Sequence, residues 1–211
     1  MEEVAAVFAE NGWVSREEFL TLCRDPAFIH HLGLQQNQLE GYLFPDTYAL
    51  VRGKSNATTI ISTMVHRFLH LWKEIASQEK SSLTRHEILT LASIVEKETA
   101  NPAERPLIAR VFLNRLNRSM RLQSDPTVIY GLPDFNGNLT RKDLRRATPY
   151  NTYVINGLPP GPICNPGRAA LEAVLHPAAS PALYFVSKNN GSHQFSTTLK
   201  EHNRAVRKYQ K

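Results

Sequence analysis

The chain has 211 residues, enough to bury a core, and its 42% hydrophobic, 21% charged composition excludes a disordered polymer. Two cysteines, Cys23 and Cys164, far apart and in no metal-ligand spacing, exclude a disulfide scaffold and read as free thiols. A net charge of +6 and a pI near 9.4 favour polyanions without choosing among nucleic acid, an anionic membrane and an acidic wall polymer.

No run approaches the ~18 consecutive apolar residues of a membrane span. Met1 is followed by Glu2-Glu3, where an export signal would place a basic and then an apolar stretch. The chain as given is therefore expected to be soluble and without an export signal.

The first part reads as helices separated by turns. Ser15 and Glu18 have capping-box spacing ahead of Phe19 and Leu22. Ile60, Ile61, Met64, Val65, Phe68, Leu69 and Trp72 recur at three- and four-residue spacing and predict one apolar helix stripe belonging to the core. Between them, residues 39–48 (Leu-Glu-Gly-Tyr-Leu-Phe-Pro-Asp-Thr-Tyr) make a poor regular helix. Two readings stay open: a sugar-contacting loop, with aromatic faces against C–H surfaces, or aromatics packing a loop onto the core.

Thr84 and Glu87 form a second capping-box pair, followed by Ile88, Leu91, Ala92 and Val95 at helical spacing. Leu89 and Ile94 widen the apolar arc until Thr90, Ser93 and Lys97 remain as a narrow polar strip, so the helix is expected to be buried on most sides. On its wheel Glu98 falls between Ile94 and Leu91, and Glu96 between Ala92 and Leu89 on the opposite flank. Buried there, a carboxyl has a raised pKa, as a general acid requires near neutral pH. The other reading makes both exposed acids at a helix C-terminus. Neither has a basic partner at i,i+4, Lys97 and Arg105 included.

Downstream the chain is richer in Pro and Gly. Asn101-Pro102 and Asp125-Pro126 read as N-cap and N1 proline pairs, and Pro106 sets the start of a helix carrying Ile108, Val111, Phe112 and Leu116. Leu183-Tyr184-Phe185-Val186 reads as a buried strand, with 193–197 as its hairpin partner and a basic helix closing the chain. Helices with short antiparallel strands and no βαβ alternation predict an α+β fold. The expected division is a helical lead-in over residues 1–80, packed on a core over 81–211.

Several longer motifs then stand in order: residues 91–99 (Leu-Ala-Ser-Ile-Val-Glu-Lys-Glu-Thr), 110–116 (Arg-Val-Phe-Leu-Asn-Arg-Leu), 120–131 (Met-Arg-Leu-Gln-Ser-Asp-Pro-Thr-Val-Ile-Tyr-Gly), 150–153 (Tyr-Asn-Thr-Tyr) and 157–163 (Gly-Leu-Pro-Pro-Gly-Pro-Ile). In these the chain closely resembles the YceG-like family, the endolytic murein transglycosylases. The resemblance runs from Glu40 to the tail at His193 and Phe195.

That resemblance implies a lysozyme-like active-site arrangement with the catalytic Glu on a buried helix. It implies cleavage of the β-1,4 bond between N-acetylmuramic acid and N-acetylglucosamine within peptidoglycan strands, leaving a 1,6-anhydromuramyl end and terminating glycan polymerisation. It implies no metal and no organic cofactor. A single carboxyl suffices as acid and then base; a retaining hydrolase needs a second one about 5 Å away. Other lytic transglycosylases place the catalytic Glu directly before a Ser at a helix end, and Glu98-Thr99 is similar, so Glu98 is the expected catalytic residue, with Glu96 in support. Gln123, Ser124, Asp125, Tyr150, Asn151, Thr152 and Glu40 match polar family positions and are candidate substrate binders, although Asp125 equally suits a helix cap and Asn151 a turn. The 157–161 run suits a rigid cleft wall.

The family's cytoplasmic tail, membrane helix and LysM-like subdomain are not found here. The chain is expected to be the excised catalytic portion of a bacterial inner-membrane protein, working on the periplasmic side and held by an N-terminal anchor lying outside it, with peptidoglycan synthases as its protein partners. Competing readings are a hydrolytic muramidase using Glu98 with Asp125, and a non-catalytic peptidoglycan-binding scaffold of the division machinery. Gly53-Lys54-Ser55 lacks the earlier Gly of a phosphate loop, and His86-Glu87 lacks the second His of a zinc-protease helix. Arg141, Lys142, Arg145 and Arg146 read as a solvated face, so nucleic acid is not an expected partner.

Overall fold

The structure is a computed structural model and describes residues 1–77 and 81–210. The chain forms two compact units, Met1–Lys80 with Cys164–Gly167, and Ser81–Ile163 with Arg168–Lys211.

The first unit holds α1 (Glu2–Glu10), α2 (Arg16–Leu22), α3 (Pro26–His31) and α4 (Ala57–Ile75). The Ser15 hydroxyl accepts from the Glu18 amide, and Asn56 likewise accepts from Thr59, so each side chain satisfies an amide that the first helical turn leaves free. The α4 stripe shifts at its end: Leu71 is buried, while Leu69 and Trp72 are half-buried. Leu71 and Trp72 stand three and four residues after Phe68, so both fit the helical spacing and the pattern alone does not choose between them.

Residues 41–50 contain no helix or strand, and the packing reading of this segment holds. Tyr42 is fully buried edge-on against Phe68, with ring centroids 5.3 Å apart, and the Leu43 amide donates to Asn165 Oδ1 at 3.1 Å. Both cysteines lie in this unit and neither forms a disulfide, with Cys23 buried. Among the described residues no helix is long and apolar enough to cross a membrane.

The second unit is built on α5 (Arg85–Glu98), which packs against α6 (Arg105–Asn117), α7 (Asp125–Tyr130) and α8 (Arg168–Leu175). Strands β1 (Tyr184–Ser187) and β2 (His193–Ser196) form an antiparallel hairpin, with Phe185 opposite Phe195, and α9 (Leu199–Tyr209) lies against it. The α+β expectation is met.

A flank of α6 holds the irregular stretch before β1. Arg110 Nε donates to Ala178 O at 2.7 Å, and Asn114 Nδ2 donates to Ser180 O and Ala182 O, both at 2.9 Å. Arg115 Nε donates to Leu183 O, again at 2.7 Å. Carbonyls with no sheet partner are thus paired by helix side chains, which fixes where β1 begins. Phe112 docks edge-on to Phe185 at 5.7 Å and seats the hairpin on the same helix.

Candidate active site

Helix α5 starts on a complete capping box, Thr84 accepting from the Glu87 amide while the Glu87 carboxylate accepts from the Thr84 amide. Every residue from Ile88 to Val95 is buried, including the predicted polar strip at Thr90 and Ser93. Their hydroxyls donate back to His86 O and Thr90 O, and Ser93 Oγ also accepts from the Ile163 amide. A helix buried from Ile88 to Val95 can present a carboxyl only at its ends; Glu87 is used in the cap, and the last turn, where the chain breaks into extended backbone at Thr99, carries Glu96 and Glu98.

The two acids of that turn have different surroundings. Glu96 forms a 2.6 Å ion pair with Arg105, with the two side chains 26% and 14% exposed. The expectation that Glu96 projects toward apolar neighbours is therefore corrected: Arg105, nine residues on, is returned to it by the 3-10 turn Pro102–Glu104 instead of by helical spacing.

Glu98 faces a cleft of about 350 Å³ lined by Arg115, Leu122, Gln123, Asp125, Tyr153, Tyr184, Phe185, Leu199 and His202. Glu98 Oε1 accepts a 2.5 Å hydrogen bond from the Ser124 hydroxyl. Removal from water pushes its carboxyl up to about 7; the Ser124 hydrogen bond opposes that rise, the neighbouring Asp125 charge adds to it, and the Arg115 charge opposes it. At neutral pH about half of such a group is protonated, so both forms are within reach.

Of the other predicted residues, Gln123 and Asp125 line the cleft. Asp125 is not the helix cap: Ser124 occupies that position, and Asp125 Oδ1 accepts from the Tyr153 hydroxyl at 2.6 Å. Burial, and then that bond to a carboxylate, push the Tyr153 phenol up and keep it a donor.

Asn151 and Thr152 are wholly buried and shape the loop from beneath. Asn151 Nδ2 donates to the carbonyls of Asp143, Leu144 and Arg146, and its Oδ1 accepts from the Tyr153 amide. Asn151→Ala leaves those groups short of partners, and urea denaturation should show a loss of about 1–3 kcal/mol. The Tyr150 ring packs at a tilt against Tyr130, with centroids 4.7 Å apart, and does not line the cleft. Gly131, which ends α7, lies so close to this loop that a Cβ there would come within 2.7 Å of Thr148 Oγ1. Glu40 belongs to the first unit, where it is buried and paired with the Met1 ammonium at 2.6 Å.

Sequence reasoning missed most of the far wall. Arg115, 7% exposed, lies with its guanidinium 5.2 Å from the centre of the Tyr184 ring, and its NH1 donates to Leu122 O at 2.6 Å. The His202 ring stacks on the other partner of that wall, Tyr184, at 5.2 Å, and burial followed by the Arg115 charge lowers its pKa, holding it neutral. The available signals were an arginine in register with the buried Ile108, Val111 and Phe112 of α6, and a Leu199–His202 pair one turn apart. The wall is apolar and aromatic at the hairpin and α9, and polar at Gln123, Asp125 and Tyr153. That suits a sugar ring, which offers a C–H face and a hydroxyl edge. Among the described residues no group of three or more His, Cys, Asp or Glu could hold a metal ion.

The model of the YceG-like family matches residues 1–208. A protein of Bacillus subtilis (strain 168) named endolytic murein transglycosylase is 37% identical over 226 residues, covering 99% of this chain and 62% of that protein. One of the same name from Streptococcus pneumoniae (strain D39) is 35% identical over 205 residues, covering 92% of this chain and 37% of that protein. The crystal structure of a YceG-like protein from Listeria monocytogenes superposes with a TM-score of 0.86 at 36% identity, covering 97% of this chain and 72% of that one. The chain thus spans about three fifths of the Bacillus relative and just over a third of the streptococcal one.

Proposed function

Because the chain belongs to the YceG-like family, we propose that it is an endolytic lytic transglycosylase of peptidoglycan strands, with Glu98 as its acid and base. The observation that carries this reading is a carboxyl brought to about 7 by burial at the base of a sugar-sized cleft.

Protonated Glu98 gives its proton to the glycosidic oxygen as the bond from the muramyl C1 breaks, so the leaving sugar departs with a free hydroxyl. The resulting carboxylate takes the proton from the muramyl C6 hydroxyl as that oxygen bonds to C1 and closes the anhydro ring. Glu98 ends protonated again, and no water is consumed. Arg115 and Ser124 favour the carboxylate formed midway, while desolvation favours the acid that starts the cycle. The first step needs the protonated form, so kcat should fall as pH rises through about 7, which a rate profile on purified glycan strands measures.

A peptidoglycan substrate lies outside the cytoplasmic membrane, and the proposal therefore includes a catalytic unit working on that side. Mass analysis of the products tests the reaction, since an anhydro end is one water lighter than a hydrolysed one. Hydrolysed ends would instead favour a muramidase in which Asp125, on the same cleft, serves as the second carboxylate.

A further inference from the structure

Ser124 occupies the N-cap position of α7 yet makes no side-chain capping bond. Side chains at other N-cap positions do cap their helices, among them Ser15, Asn56, Thr84 and Thr198. The Ser124 hydroxyl is spent on Glu98, 26 residues away in sequence.

The backbone that presents this hydroxyl is fixed from beneath. The Gln123 and Ser124 amides donate to Thr152 O and Thr152 Oγ1, at 3.1 and 3.0 Å. Thr127 Oγ1 lies 2.7 Å from both Ser124 O and Thr152 Oγ1. Ser124, Thr127 and Thr152 are each at most 1% exposed, so none can be reached by a glycan. Gln123 is held at φ +52°, a left-handed conformation that a non-glycine residue adopts only when its surroundings impose it. Glu98 Oε2 receives no hydrogen bond from any described residue.

We propose that Ser124 is a positioning residue for Glu98: seated on the Thr127–Thr152 pair, its hydroxyl fixes Oε1 and leaves Oε2 to exchange the proton with the glycan. This rests on Glu98 being the acid, and it replaces substrate contact by Ser124 with action through Glu98. A hydroxyl that only filled space would affect folding and leave the titration of Glu98 alone.

The test compares wild type, Ser124→Ala, Ser124→Cys and Glu98→Gln on purified glycan strands, with kcat, KM and the pH profile read for each. Ser124→Ala should lower kcat by about 10- to 100-fold with KM unchanged, because the acid is no longer held in line with the bond it protonates. Its alkaline limb should move to higher pH, since a bond favouring the carboxylate is gone. Ser124→Cys, a near-isosteric but weaker donor, should lie between the two in both readouts, and it carries the test if Ser124→Ala does not melt cooperatively. Wild-type kcat and an unmoved alkaline limb in the folded variants, with Glu98→Gln inactive, would overturn the role of Ser124 alone. An active Glu98→Gln would overturn the reading of Glu98 itself, whatever the serine variants do.

Discussion

Glu98→Gln should lower kcat on glycan strands by at least about 10²- to 10⁴-fold, the range for removing one general acid–base group. The loss belongs at the upper end, because the same carboxyl both gives the first proton and takes the second. The amide keeps the size of the side chain and can still accept from Ser124, so KM should change little and the fold should survive. Glu96→Gln is the matched control. It weakens an ion pair with Arg105 that lies off the cleft, and kcat should stay near wild type. Release of anhydro-ended fragments, followed by mass analysis, reads both variants. Full activity in Glu98→Gln would remove the acid from the mechanism, and equal losses in both variants would mean that the last turn of α5 acts through its shape.

Much of the frame of this site was legible because it is local. The capping box at Thr84 and Glu87 and the apolar run after it are set by neighbours within a few residues, and they define α5 and the turn that carries both acids. The wheel placed Glu96 and Glu98 on different flanks, and their separate partners follow from that. Those partners were not legible. Arg105 reaches Glu96 through an intervening turn, Ser124 meets Glu98 from 26 residues away, and Tyr184 and His202 come from the hairpin and the last helix. Helical and strand periodicities carry no information about such distant meetings.

The binding residues divide on the same physical ground. Polar side chains in an irregular loop serve substrate or backbone, and the family motif marks both alike. Asn151 and Thr152 turn inward because the loop carbonyls and amides around them need partners once buried. Gln123 and Asp125 turn outward to the cleft. The cap at α7 was off by one residue for a related reason: Asp125 precedes the proline and has the usual capping side chain, but Tyr153 claims its carboxylate.

The second large effect is on stability. Glu98 has a folded-state pKa of about 7 against an ordinary value of 4.5. A group whose pKa is raised by folding contributes stability that is fully present below the unfolded value and lost as pH rises through the folded one. Between pH 5 and 8 the wild-type protein should therefore lose on the order of 2–3 kcal/mol from this carboxyl, because the unfolded chain ionises it freely while the folded cleft resists. Glu98→Gln should remove that part of the slope and be the more stable protein at pH 8, with little difference at pH 4. Taking the difference between the two proteins cancels what other groups, His202 among them, contribute in common. Urea melts at several pH values measure it. Parallel curves for the two proteins would mean that the carboxyl is not desolvated, and the near-neutral acid on which the proposed mechanism depends would be lost with it. A variant that gains stability as it loses activity would identify Glu98 as a group kept in an unfavourable place for its chemistry.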